Sequence, residues 1–195
     1  FGGQSGGGII DPITMKPIKL PFKIENANTV TYSDSGKYFA FANGNQVPIW
    51  NRKNGETLNL KKSNFGYGRH LSFSFDDKYI IIRNNDGPRI YNIDDKQFLD
   101  RIKENSGMDG AVSFFNKKNK FVASNIDGKI KIWNFETGEV EKELDAHNAW
   151  IPHIIVTSDD KYLISSSADQ SIKIWDTKNF ELLCVLTGHR NEVWG

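Results

Sequence analysis

The chain is punctuated by short runs of β-branched and aromatic residues, each too short for a helix and each followed by a polar turn. The runs 38–42, 79–83, 121–124 and 162–166 (YFAFA, YIIIR, FVAS, YLISS) give way to turns at Asn43-Gly44, Asp86-Gly87, Asp127-Gly128 and Asp169-Gln170. Asn, Asp and Gly tolerate the left-handed conformations that tight reversals need, so each turn predicts a hairpin. A second apolar run follows each hairpin and ends at an Asx residue (Asn51, Asn92, Asn134 or Asp176) that opens the next turn.

These units recur. Five segments align without gaps over their first positions: IIDPITMKPIKL from Ile9, IWNRKNGETLNL from Ile49, IYNIDDKQFLDRI from Ile90, IWNFETGEVEKEL from Ile132 and IWDTKNFELLCVL from Ile174. Their second residues, Ile10, Trp50, Tyr91, Trp133 and Trp175, are spaced by 40, 41, 42 and 42. A polar turn with Lys and an aromatic lies upstream of the last four: SDSGKY, FDDKY, NKKNKF and SDDKY. Its lysines, Lys37, Lys78, Lys120 and Lys161, keep the same period. With one further strand before and after the central hairpin, each unit is a four-stranded antiparallel meander. Alone it leaves both sheet faces unburied, so it must stack on neighbours, and radial stacking at this period makes a β-propeller.

The repeats resemble the WD-repeat β-propeller family, whose unit runs Gly-His, a Ser/Thr on the second strand, an Asp in the following turn and Trp-Asp on the third strand. The fullest match is Ala146-His147, Ser165, Asp169 and Trp175-Asp176. The resemblance implies that His147, Ser165, Asp169 and Trp175 form a structural hydrogen-bonded chain with no catalytic part. The third repeat has Asn105 in place of His and Ser124 near the Ser position, the second has Ser63 and Tyr91, and the first has Gly44 for the Asp. The chain is thus expected to be an all-β propeller domain over 1–195. Four repeats span 21–62, 63–104, 105–146 and 147–187, with partial blades at 1–20 and 188–195. The family's commonest ring has seven blades, so the expectation is part of a longer propeller. A five-bladed ring, with 192–195 supplying the first strand of the blade begun by 1–20, is the alternative. An open edge requires one or the other.

Composition narrows the function. Lys and Arg number 25 against 24 Asp and Glu, so no broad attraction to nucleic acid or anionic membrane is built in. No apolar run approaches the roughly 20 residues of a bilayer span. The one cysteine and the absence of Asn-x-Ser/Thr acceptors favour an intracellular setting, cytoplasmic or nuclear. The N-terminal FGGQSGGG lacks the Gly-Lys-Ser/Thr of a phosphate loop and reads as a glycine-rich turn. No two of His70, His147, His153 and His189 stand at zinc spacing, so neither a metal nor another cofactor is expected. Cys184, within LLCVL, reads as a buried inert thiol, and Lys117, Lys118 and Lys120 as a solvated turn cluster.

Surface recognition remains. Family geometry places Gly68, Gly110, Pro152 and Trp194, together with Gly66, Met108, Trp150 and Glu192, at the channel mouth on the narrow face. Small residues beside Trp150 and Trp194 predict a recess with aromatic walls that anchors a partner's side chain. The opposing possibility is that both indoles are loop packing. The chain is therefore expected to be a non-enzymatic scaffold for a protein or peptide, a subunit of a larger complex. The alternative is a sensor or autoinhibitory module of a multidomain enzyme such as a nucleotide hydrolase.

Overall fold

A computed structural model describes residues 9–10, 16–18, 20, 24, 27–43, 46–61, 70–84, 87–99, 102 and 110–194. Strands β1 (Ile9–Ile10) and β2 (Pro17–Ile18) form a small antiparallel pair, and four antiparallel sheets of four strands follow. Blade 1 is β3 (Ala27–Tyr32), β4 (Tyr38–Asn43), β5 (Gln46–Asn51) and β6 (Thr57–Lys61). Blade 2 is β7 (His70–Phe73), β8 (Tyr79–Asn84), β9 (Gly87–Asn92) and β10 (Gln97–Leu99). Blade 3 is β11 (Val112–Phe114), β12 (Lys120–Ser124), β13 (Lys129–Asn134) and β14 (Val140–Asp145). Blade 4 is β15 (His153–Val156), β16 (Tyr162–Ser166), β17 (Ile172–Asp176) and β18 (Leu182–Leu186). Each is a meander whose order in space follows the sequence, as in a β-propeller.

The third-strand rings hold one register. Trp50 pairs with Phe39, Tyr91 with Ile80, Trp133 with Phe121 and Trp175 with Leu163. Apolar side chains from adjoining sheets merge into shared cores. One joins Tyr38, Ala40 and Ile49 of blade 1 to Leu71, Phe73 and Ile80 of blade 2. A second joins Ile81 and Ile90 to Phe114, Phe121 and Trp133, and a third joins Val122 and Ile132 to Ile154 and Trp175. Fully burying one such isoleucine is worth about 1.5–3 kcal/mol, so these seams dominate the stability of the stack. Polar fasteners one repeat apart tie the first strands together. The Phe114 N–H donates to Ser72 Oγ at 3.4 Å and the Val156 N–H to Ser113 Oγ at 3.1 Å.

Backbone geometry corrects the upstream marker. The N–H groups of Arg52, Ile93, Phe135 and Thr177 donate to the carbonyls of Lys37, Lys78, Asn119 and Lys161. Asn119, and not Lys120, is therefore the third repeat's equivalent of the lysine. Lys120 instead stands opposite Asn134, where the other blades place Tyr38, Tyr79 and Tyr162. Tyr38 stacks on Phe73 of the next blade and Tyr79 meets Phe135 edge to face, with centroids 6.0 and 4.6 Å apart. Lys120 makes no such bridge and pairs with Glu141 of its own blade at 2.5 Å.

The second hairpins differ in length between the halves of the molecule. Two residues separate the last pairs Asn43–Gln46 and Asn84–Gly87, whereas five separate Ser124–Ile130 and Ser166–Ile172. In blades 3 and 4 the longer loop carries Asp127 and Asp169.

Strand β18 departs from expectation. Cys184 is exposed, as are Leu182, Leu183, Val185 and Leu186. β18 is bonded along one edge to β17 and, among the described residues, nothing covers its faces, so the apolar LLCVL pattern does not bury the thiol. Residues 192–194 form no strand and pair with neither β1 nor β2, so the ring-closing strand drawn for a five-bladed arrangement is not formed among the described residues.

Candidate functional site

At the end of blade 4 that carries the inter-blade connection 146–152, three loops meet. The connection begins at Ala146 and His147, whose N–H groups both donate to the Gly128 carbonyl, at 3.1 and 2.8 Å. Gly128 holds a left-handed φ of 82°, and a Cβ there would lie 2.1 Å from the His147 carbonyl oxygen. Only glycine allows that approach. The Lys173 ammonium donates to the Ala146 carbonyl at 2.5 Å and holds the connection from the blade 4 side.

His147 then reaches into the blade. Its Nδ1–H donates to Asp169 Oδ2 at 2.9 Å, and its Nε2 lies 2.8 Å from Ser165 Oγ. The Trp175 indole N–H donates to the same hydroxyl oxygen at 3.2 Å. Asp169 accepts from the Asn148 N–H at 3.1 Å, from the Ser171 N–H at 3.0 Å and from the Ser171 hydroxyl at 2.6 Å. A carboxylate acceptor at Nδ1 assigns the proton to that nitrogen, leaving Nε2 to accept from Ser165. Partial burial pulls the Asp169 carboxyl upward, but the Ser171, Asn148 and His147 donors outweigh it and bring it down to about 2. Burial holds His147 below the ordinary imidazole value against the pull of Asp169.

These three groups superficially match a nucleophile, a base and an orienting acid. Ser165 is 0% exposed and its hydroxyl is already shared between His147 and Trp175, so no substrate carbonyl can reach it. The chain of bonds braces the loop against the blade. In the third repeat the work is shared differently. Ser124 Oγ accepts from the Ala111 N–H at 2.8 Å and donates to the Ile151 carbonyl at 3.0 Å, while the Trp133 indole N–H is buried with no acceptor among the described residues.

Both pKa directions bear on stability. The unfolded chain gains a proton on His147 near pH 6.5, where burial disfavours the charged ring in the fold, so stability falls as pH drops through that range. A second loss follows between about pH 4 and 2 as Asp169 is protonated. Thermal melts from pH 7.5 to 5.5 are expected to show a falling midpoint, and a flatter profile in His147→Asn.

The residues proposed for the channel mouth are only partly together. Trp150 and Trp194 meet edge to face, with centroids 4.9 Å apart and planes at 88°. Trp194 is 63% exposed, whereas Trp150 is half-buried and its carbonyl accepts from the Ala168 N–H and the Ser167 hydroxyl. Buried Val193 seats the C-terminal segment through its N–H on the Ser167 carbonyl at 3.1 Å, and Glu192 beside it is exposed. Gly110 and Pro152 are buried and do not line a recess. Gly110 is glycine because a Cβ would lie 1.9 Å from the Ser124 carbonyl oxygen. Among the described residues the expected aromatic walls are one pair of rings, with Gly110 and Pro152 buried beside them. Gly66, Gly68, Met108, Asn105 and Ser63 lie outside the described residues.

The linear spacing of the histidines concealed one pairing. His70 and His153, on the first strands of blades 2 and 4, bring their rings to 6.0 Å edge to face. Among the described residues no group of three or more His, Cys, Asp or Glu is placed to hold a metal. No helix of the described residues is long and apolar enough to cross a membrane.

The profile of the family described as "WD domain, G-beta repeat" matches residues 138–176, the stretch that holds His147, Ser165, Asp169 and Trp175. That stretch is a WD repeat. It is 25% identical over 150 residues to the nuclear distribution protein nudF of Aspergillus niger, covering 74% of this WD-repeat chain and 34% of that protein. It is 29% identical over 120 residues to human apoptotic protease-activating factor 1, covering 60% of this chain and 9% of that one. A chain of the mitotic checkpoint complex superposes with a TM-score of 0.77 at 19% identity, covering 86% of this chain and 51% of that chain. The WD-repeat chain thus spans about a third of the length of the Aspergillus niger relative and about half of the matched structure. WD-repeat proteins act in general as protein-interaction scaffolds within complexes, and the relatives it matches are mostly not enzymes.

Proposed function

We propose that this chain is a non-enzymatic scaffold that binds a protein or peptide partner on the narrow face, at the aromatic pair of Trp150 and Trp194. The supporting observation is Trp194, 63% exposed yet held by its neighbour Val193 and by the Trp150 ring. A large apolar ring held in one pose loses little freedom on binding, which is what a recognition anchor requires. Glu192 supplies a charged rim beside it. His147, Ser165, Asp169 and Trp175 brace the platform and take no part in chemistry. The partner is a subunit of an intracellular complex, as in the target of rapamycin complex that names one relative, LST8-1 of Arabidopsis thaliana, 36% identical over 76 residues.

The test is co-purification with mass spectrometry to identify what binds, then calorimetry on variants. Trp194→Ala weakens that partner about tenfold or more, with the thermal midpoint nearly unchanged. Trp150→Ala loses binding and also some stability, because its ring is half-buried. Full binding in Trp194→Ala refutes the assignment. A second reading, a regulatory module of a larger enzyme, draws on the similarity to apoptotic protease-activating factor 1. A phosphate-loop domain in the same full-length polypeptide supports it.

A further inference from the structure

The first hairpins of neighbouring blades meet at the end of the sheets opposite Trp150. At the junction of blades 3 and 4 a carboxylate closes the meeting point. Buried Asp160, held at a left-handed φ of 61°, accepts from the Asn116 and Lys117 N–H groups, each at 2.7 Å. At the junction of blades 1 and 2 the corresponding residue, Asp77 with φ 60°, accepts from the Ser35 hydroxyl. By the register of the turns the blade 3 residue at this position is Lys118, so the junction of blades 2 and 3 has no such carboxylate.

The groups that would have received one are exposed at this junction. The N–H groups of Phe75 and Asp76, equivalent to those of Asn116 and Lys117, have no acceptor among the described residues. They border a cleft of about 370 Å³ lined also by Tyr79, Phe135, Lys117 and Lys118. Tyr79 and Phe135 meet edge to face at 4.6 Å and form an aromatic floor, and Phe75 is 58% exposed at the rim. The Lys117 ammonium has no hydrogen-bond or ion-pair partner among the described residues, and the Lys118 ammonium reaches only Thr177 Oγ1, at 3.4 Å, and the Phe115 ring. The one carboxylate at the rim close to these amides, Asp76, is turned back onto the Ser74 hydroxyl at 2.7 Å and the Lys78 N–H at 3.2 Å, with the Lys78 ammonium 3.5 Å away. Glu136, which accepts from the Asn119 side-chain amide at 2.7 Å, also lines the cleft.

The geometry points to this cleft as a docking groove for a partner segment that presents a carboxylate beside an aromatic or aliphatic side chain. The carboxylate takes the two turn amides as Asp160 does one junction further on, Lys117 complements its charge, and the apolar neighbour lies on Tyr79 and Phe135. The groove lies at the opposite end of the blades from the tryptophan pair, so the two surfaces can be occupied together.

The test is a ¹⁵N titration of the full chain with the capped peptide acetyl-Phe-Asp-Asp-Leu-amide and with its Asn-Asn counterpart. The aspartate peptide is expected to shift the Phe75 and Asp76 amides in a saturable way, the asparagine peptide at least tenfold more weakly. Lys117→Glu combined with Lys118→Glu abolishes the response, and Lys53→Glu, away from the groove, leaves it intact. Equal responses to the two peptides, or none at Phe75 and Asp76, overturn the proposal. The two-peptide comparison on the unmodified chain decides even where a variant folds poorly, and Trp194→Ala leaves the result unchanged whatever becomes of the narrow-face reading.

Discussion

Gly128→Ala is expected to lower stability by roughly 3–4 kcal/mol. Two terms contribute. An alanine at a φ of 82° carries the ordinary left-handed strain of about 1 kcal/mol. The remainder arises because the new Cβ falls 2.1 Å from the His147 carbonyl oxygen, inside any van der Waals contact, so the connection between blades 3 and 4 must lift away. Lifting it breaks the two amide bonds onto the Gly128 carbonyl and displaces the ring of His147. Gly55→Ala separates the terms, since Gly55 has a φ of 77° with nothing within 4 Å of its Cβ position. It should lose only about 1 kcal/mol. Urea unfolding of the two variants measures both, and equal losses would show that the close approach does not exist.

Ser165→Ala comes second, at about 2–4 kcal/mol, although it removes a single oxygen. That oxygen serves two buried groups at once, so its loss leaves both His147 Nε2 and the Trp175 indole N–H without a partner. The same reasoning fixes a non-additive result. In Ser165→Ala with Trp175→Phe, the second change removes the orphaned N–H, so the pair should cost measurably less than the two single losses combined. Additivity within error would mean that the Trp175 bond contributes nothing.

Much of the architecture was legible because it rests on periodicity. The spacing of Trp50, Tyr91, Trp133 and Trp175 identified third strands, and the Asx turns located hairpins. The slip at Lys120 was hidden because a lysine followed by an aromatic reads the same one position out of register, and only the amide donated by Phe135 to Asn119 separates the alternatives. Cys184 misled for a different reason. An apolar strand signals a capacity for burial, and burial itself depends on what lies against the strand. At the channel mouth, glycine at position 110 was read as open space, but the backbone of Ser124 occupies it. Repeat register placed Trp150 and Trp194 near one another, but their edge-to-face contact joins residues from separate loops and could be seen only in the structure. The amides of Phe75 and Asp76 were invisible as well, since main-chain donors leave no mark on side-chain identity.

The unequal second hairpins of the two halves set how freely each can drift. Where a blade is held by apolar volume alone, many combinations of Ile, Val, Leu and Phe are interchangeable, and a copy of the unit can wander until its ancestry is illegible. Where the loop is long enough to bring an aspartate to a histidine, the letters are pinned one by one, because no other set of side chains supplies those donors and acceptors in that space. The profile match to 138–176 takes in that loop together with His147, Ser165, Asp169 and Trp175. Kinship is written most plainly in the part of the molecule with the least freedom to change.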